Sequence, residues 1–185
     1  NKPVLEQTID ICELPLKVNV IESTKDAKFD KGIVNLFHIN NIDMKDFLLG
    51  QVSAMCGQAA FDYIKKSVEL SDIDEIDAIA TTPINKESLK AAGVPFIGHT
   101  EIFGSLSHTN DPLTMFEIEK LRVFFLSRHV SLKQAIDMVK QERLEDYIKR
   151  SFEALKRLGV EGTLAVAGLN PHSGENGLFG KEEMD

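Results

Sequence analysis

The sequence predicts an α/β fold built on a largely parallel sheet, and three observations carry that prediction. Apolar runs of four to seven residues alternate with longer amphipathic stretches, the pattern of strand–helix–strand units. Hydrophobic residues make up 43% of the 185, enough to bury a core in one domain or in one lobe of a larger protein. Three of the apolar runs lead straight into polar clusters, and the carboxyl ends of parallel strands are where such sheets open their ligand crevice.

The first strands are KVNVI (17–21) and IVNLFHI (33–39). A helix follows over 53–70, because Met55, Ala59, Ala60, Tyr63, Ile64 and Val68 recur at near three-and-four spacing. DAIAT (77–81) reads as a short strand and LRVFFLS (121–127) as the most apolar one. Ser131 caps the next helix, with Gln134 placed for a capping box. Helical periodicity returns over 142–158, with Leu144, Tyr147, Ile148, Phe152, Leu155 and Leu158 on one face, and Gly159 ends it. TLAVAG (163–168) is the last strand, and the chain shows no internal repeat or low-complexity tract.

Composition excludes several classes. The formal charge is −8 and the basic residues are scattered, so no phosphate-tracking stripe points to nucleic acid. No apolar run is long enough to span a membrane. Cys12 and Cys56 are too few and too far apart for a disulfide framework or a thiolate zinc site, which points to a reducing cytoplasm. The first residues, NKPVLEQTIDICELPL, lack the basic and apolar regions of a signal peptide. Both ends read as cuts within a longer chain.

Three polar clusters follow apolar runs: TPINK after DAIAT, Arg128 and His129 after VFFLS, and Asn170, Pro171 and His172 after TLAVAG. Gly168, Gly174 and Gly177 let the last loop bend close to a ligand, while Pro171 holds Asn170 extended and aims His172. His129 and His172 either share a divalent metal, with a further ligand from elsewhere, or each closes a strand end through a hydrogen bond. TPINKES (82–88) sets hydroxyls, an amide and Lys86 at a helix N-terminus, either as an anion site or as an ordinary turn with Lys86 exposed. GVPFIGHTE (93–101) either offers His99 and Thr100 to a phosphate or carboxylate, or uses Thr100 as a helix cap with His99 packed beside it. His38, His108 and Cys56 read as structural. No GxGxxG or GxxxxGK[ST] is present.

The segments TTPINKESLKAAGVPFIGHTEIF, LRVFFLSRHVSL and AGLNPHSGENGLFGKEE, in this order, resemble the 4-hydroxythreonine-4-phosphate dehydrogenase family of vitamin B6 biosynthesis (PdxA-like). GQVSAMCGQAAFDYI (50–64) fits the family's helix before the TPINK segment. The resemblance implies a fold related to isocitrate and isopropylmalate dehydrogenases, with α/β/α layers, and a homodimer with shared active sites. It implies His99 and Thr100 as substrate contacts, His129 and His172 as metal ligands, and Lys86 as a candidate for proton transfer or anion binding. The implied cofactors are NAD(P) and a divalent metal (Zn, Mg or Co). The implied chemistry is oxidation of a small phosphorylated substrate, 4-phosphooxy-L-threonine, and decarboxylation to 3-amino-2-oxopropyl phosphate. A paralogue acting on erythronate or threonate 4-phosphate is the alternative, and a non-catalytic dimerising metal-binding lobe is a third reading.

Against the family pattern, the opening glycine-rich segment is absent, as is the C-terminal portion with the third metal-binding His, further phosphate contacts and much of the NAD site. Residues 1–185 then form the central portion of a two-lobed subunit: the end of the first lobe and most of the dimer-forming second. Around His129 the family's Thr-Thr-His-Leu-Pro-Leu-like run is SRHVSL, with Arg128 for a small polar residue and Ser131 for a proline.

Overall fold

A computed structural model describes residues 1–184. The chain divides into two compact units, Asn1–Asp111 and Pro112–Asp185.

In the first unit, helix α1 (Lys2–Ile11) starts on Asn1, whose side chain accepts from the Val4 N–H, with Pro3 in its first turn. Proline suits that position because its missing N–H has no intrahelical partner there. Strands β1 (Lys17–Ile21) and β2 (Ile33–Phe37) pair in parallel, Lys17 opposite Ile33 and Ile21 opposite Phe37. Across that pair Asn19 Nδ2 donates to Asn35 Oδ1 at 2.9 Å, and Asn35 Nδ2 donates to the Lys28 carbonyl at 2.8 Å. The two amides thus pin the crossover between the strands. His38 has the structural role expected of it, its Nδ1 accepting from the Lys2 N–H at 3.0 Å.

Helix α2 (Ala54–Asp72) is capped by Ser53, which accepts from the Cys56 N–H. Helix α3 (Lys86–Ala91) is capped by Asn85, and α4 (His99–Leu106) begins after Gly98 with no side-chain cap. These three helices enclose the core: Ile64, Leu89 and Ile102, the last two fully buried, with Phe61, Ile84, Val94, Phe96, Phe103 and Leu106 packed around them. Full burial of each such aliphatic side chain contributes about 1.5–3 kcal/mol.

In the second unit, β3 (Met115–Ile118) and β4 (Leu121–Phe124) form an antiparallel hairpin. Only Glu119 and Lys120 join them, and Glu119 adopts φ 55°, the left-handed backbone a two-residue hairpin loop demands. Helix α5 (Leu132–Asp137) carries the expected capping box between Ser131 and Gln134. Helix α6 (Gln141–Arg157) ends before Gly159 at φ 67°.

The α/β class is as expected, but the sheet is not one largely parallel layer. It is two small sheets, one parallel and one antiparallel. LRVFFLS is a strand only through Phe124, because the two-residue turn commits it to its neighbour in the hairpin. DAIAT and TLAVAG belong to no helix or strand. A strand exists only when its backbone groups meet a neighbouring ladder, and these two runs meet none among the described residues. Val166 remains 60% exposed. The apolar face of α6 is likewise covered only in part, with Tyr147 buried and Phe152 at 59% exposure.

Candidate functional site

The first unit contains a cavity of about 350 Å³ between α2, residues 79–85, Ser88 and His99. Its polar wall comprises Tyr63, Ser67, Thr81, Thr82, Asn85, Ser88 and His99, and its apolar wall includes Ala60, Ile64, Ile79 and Ile84. Local sequence explains the shape. Gly57 lets α2 lie against α3, since a Cβ there would stand 2.0 Å from the Ser88 carbonyl oxygen. Ser88 is held from two sides: its hydroxyl accepts from the Ser53 N–H at 3.2 Å, and its own N–H donates to Asn85 Oδ1 at 2.7 Å. The hydroxyls and amide of TTPIN thereby stand on a fixed turn.

His99 occupies the first position of α4, its ring stacked on Phe103 at 6.2 Å between centroids. Its Nε2 is buried without a hydrogen-bond partner. An orphaned buried nitrogen of this kind costs about 1–3 kcal/mol, so the group calls for a partner from outside the protein. Thr100 lies within the first turn of α4; the cap position belongs to Gly98, so the capping role considered for Thr100 does not occur. Lys86 is exposed at the first position of α3, outside the cavity lining.

Sequence reasoning missed Tyr63 as a polar element of this cavity, since helical spacing marks it only as an apolar-face residue. Its hydroxyl donates to Asn41 Oδ1 at 3.0 Å, and Asn41 Nδ2 donates to Asp62 Oδ2 at 2.8 Å. Burial, with the Asp62 charge and Cys56 beside it, pushes the phenol up to about 12. Tyr63 is therefore a neutral donor at physiological pH. The NNID segment that carries Asn41 has no pattern that would have singled it out.

In the second unit, His129 and His172 both adopt φ 52° and are solvent-exposed. The His172 ring lies 6.2 Å from that of Phe179. Neither imidazole hydrogen-bonds to another described residue, so the strand-end capping role has no bond to support it. Free imidazole nitrogens are the donor type that zinc, cobalt and related divalent ions take. Among the described residues no group of three or more His, Cys, Asp or Glu gathers in metal-binding geometry. By donor chemistry alone, the two exposed imidazoles suit such an ion.

The loop carrying His172 is tied down at its base. The Asn170 N–H donates to Glu183 Oε1 at 2.6 Å, and Asn170 Nδ2 donates to Glu182 Oε2 at 2.7 Å and Glu183 Oε2 at 3.0 Å. Backbone donors and the Asn170 amide hold both carboxyls below their usual range. Closure on this scale needs glycine: a Cβ on Gly180 would stand 2.3 Å from Asn170 Nδ2, and one on Gly174 would stand 2.7 Å from the Gly180 carbonyl oxygen. Residues 172–177 all have positive φ, between 41° and 88°, so the loop presents His172 on a left-handed turn.

These features define a mixed α/β protein with small sheets, a polar cavity in one unit and two unpartnered imidazoles on strained loops in the other. The model of the family described as "Pyridoxal phosphate biosynthetic protein PdxA" matches residues 1–185, and the chain belongs to that family. It is 56% identical over 184 residues to a Fusobacterium nucleatum protein named "Putative D-threonate 4-phosphate dehydrogenase", covering 100% of this chain and 55% of that one. A Clostridium botulinum protein of the same name is 56% identical over 182 residues, covering 98% and 54%. A crystal structure of a 4-hydroxythreonine-4-phosphate dehydrogenase from Burkholderia phymatum matches with a TM-score of 0.89 at 36% identity, covering 98% of this chain and 55% of that one. The Klebsiella pneumoniae counterpart matches with a TM-score of 0.84 at 37% identity, covering 91% and 51%. The chain spans about half the length of the curated relatives it matches.

Proposed function

We propose that the intact protein is a dehydrogenase of a four-carbon acid bearing a 4-phosphate, using NAD(P) and a divalent metal and acting as a homodimer in the cytoplasm. The observation that carries this reading is the buried, unpartnered Nε2 of His99 in a cavity walled by Thr81, Thr82, Asn85 and Ser88. Such a wall accepts and donates hydrogen bonds to the oxygens of a small polar acid, and the orphaned imidazole nitrogen gains its partner when that acid binds. Thr100 and Lys86, at the starts of α4 and α3 and outside the cavity lining, are the remaining candidate substrate-side groups, Lys86 for proton transfer or anion binding. The relationship to isocitrate and isopropylmalate dehydrogenases, and the central place of residues 1–185 in a two-lobed subunit, belong to the same proposal.

His129 and His172 are the residues that would hold the ion, with further ligands from outside the described residues. A bound divalent ion supplies Lewis-acid stabilisation of negative charge on a substrate oxygen during oxidation and decarboxylation. The chain's own work is to aim those two imidazoles, to hold the acid through His99 and the TTPIN hydroxyls, and to keep Tyr63 protonated, its one O–H committed to Asn41. No GxGxxG dinucleotide fingerprint lies in these 185 residues.

Two substrates fit that frame. The names carried by relatives at 56% identity favour threonate 4-phosphate over 4-phosphooxy-L-threonine, the substrate type in the names of the solved structures at 36–37%. The deciding experiment offers the intact protein D-threonate 4-phosphate, erythronate 4-phosphate and 4-phosphooxy-L-threonine side by side, with NAD+ or NADP+ and added divalent metal. Faster NADH production from threonate 4-phosphate supports the sugar-acid reading. Preference for the amino compound moves the protein to vitamin B6 synthesis, and no turnover of any of the three overturns the dehydrogenase proposal.

A further inference from the structure

His129 sits at φ 52°, a left-handed conformation that a residue with a side chain keeps only when its surroundings over-determine it. The chain on both sides of it is held. Before it, the Arg143 guanidinium on α6 grips the Leu126 carbonyl oxygen with two N–H groups, Nε at 3.1 Å and Nη2 at 2.8 Å. The same Nη2 donates to the Tyr147 hydroxyl at 2.9 Å, and the guanidinium carbon lies 4.5 Å from the centroid of the buried Tyr147 ring. Adjacent to it, Arg128 Nη2 donates to the Pro112 carbonyl at 3.3 Å, at the entrance to the hairpin. After it, the Ser131 capping box fixes the start of α5. The Arg143 fork thus ties α6 to the backbone three residues before His129.

We propose that Arg143 is a positioning residue for His129: its two-pronged hold on Leu126 sets the exit from the hairpin, and so the direction in which the His129 imidazole is presented to a divalent ion. The proposal rests on the reading of His129 as a metal ligand. Outer groups hydrogen-bonded directly to a metal-ligating His are worth about 10–100-fold in metal affinity, and Arg143, acting through the backbone, is expected at the lower end of that range. Lysine cannot replace Arg143, because one ammonium on a flexible stem does not reproduce the fork.

The test uses the intact protein, Co2+ as the probe, and the variants Arg143→Gln, Arg143→Lys and His129→Ala. Two quantities are read: the Co2+ dissociation constant with its visible absorption spectrum, and amide hydrogen exchange over 127–130 in metal-free protein. The expected result is faster exchange over 127–130 and Co2+ binding weakened about tenfold or more in Arg143→Gln, with little recovery in Arg143→Lys. In the Arg143→Gln, His129→Ala double variant the Arg143 change then adds no further loss. A purely structural role would lower the melting temperature while leaving the spectrum and affinity of the folded protein untouched, and that result overturns the proposal. Should Arg143→Gln not fold, wild-type affinity and exchange in Arg143→Lys overturn it equally. Wild-type Co2+ binding in His129→Ala overturns the metal reading instead, and the exchange over 127–130 still decides whether Arg143 holds this segment.

Discussion

Gly57 on α2 and Ser88 on α3 approach so closely that a Cβ at Gly57 would stand 2.0 Å from the Ser88 carbonyl oxygen and 2.3 Å from its carbon. The contact sets the spacing of the two helices and, because Ser88 lines the cavity, the position of one of its walls. In an open helix, Gly→Ala stabilises by about 1 kcal/mol. Here the added methyl meets backbone that has no rotamer to yield, and overpacking of this kind costs about 1–3 kcal/mol or more. Gly57→Ala should therefore destabilise by up to about 2 kcal/mol net in denaturant unfolding and weaken binding in the cavity. Equal or greater stability with unchanged binding would show that α3 moves away freely.

The capping box at Ser131 gives a prediction of known size. Ser131 Oγ accepts from the Gln134 N–H at 3.2 Å, and Gln134 Oε1 accepts from the Ser131 N–H at 3.0 Å. Ser131→Ala removes the first of these and should cost about 1 kcal/mol, with faster hydrogen exchange confined to α5. Loss spread across the whole second unit would instead make α5 part of its core.

The Ser131 capping box, the Gly159 stop, the start of α2 and the span of α6 were legible in the sequence because each depends on neighbours close in the chain, and β1 and β2 were legible from their own apolar runs. What could not be read depends on partners far from the element. DAIAT and TLAVAG have the apolar character of strands, yet a strand needs a ladder, and composition cannot say whether one is present. The antiparallel hairpin was hidden because MFEI, with Glu117 between apolar residues, lacks a continuous apolar run, and EK is not a turn pair that announces itself. In the candidate site, His99, His129 and His172 stood out by residue type after apolar runs or at a helix start. Tyr63, Asn41 and Arg143 did not, since their roles come from contacts to residues 16 or more positions away or from a backbone carbonyl.

Two groups of titrations bear opposite signs. Tyr63 has its phenol raised from 10.0 to about 12, so the folded protein holds that proton more tightly than the unfolded chain. Its contribution is complete below pH 10 and is lost as pH rises towards 12. Stability should thus fall across that window in wild type and fall less in Tyr63→Phe, while tyrosinate absorbance in the folded protein should show one phenol titrating late. Parallel alkaline profiles for the two proteins would remove Tyr63 from the account.

Glu182 and Glu183 are lowered instead, by backbone donors first and by Asn170. Their contribution is present above the ordinary carboxylate range and is lost as pH falls through their depressed values. Acidification should open the loop that carries His172 before the core unfolds, seen as faster exchange over 170–183. Glu183→Gln should produce the same opening at neutral pH, because a carboxamide oxygen accepts more weakly than a carboxylate from the Asn170 N–H. Unchanged exchange in that variant would place the loop's restraint in its glycine turns alone.

The last prediction sets stability against function at His99. Its buried Nε2 has no partner in the protein, and its ring already stacks on Phe103 at an interplanar angle of 20°. His99→Phe keeps a flat ring on that surface and removes the orphaned nitrogen, so unfolding in the absence of substrate should require about 1–3 kcal/mol more free energy. The same change deletes the group that the phosphorylated acid would satisfy, and should lower kcat/KM for the preferred substrate by about tenfold to a hundredfold. Substrate added to wild type should recover the missing stability by mass action, and should recover less at the same concentration in His99→Phe. A variant that is both less stable and fully active would mean that the nitrogen already has its partner within the folded protein, and the cavity would lose its claim to the substrate.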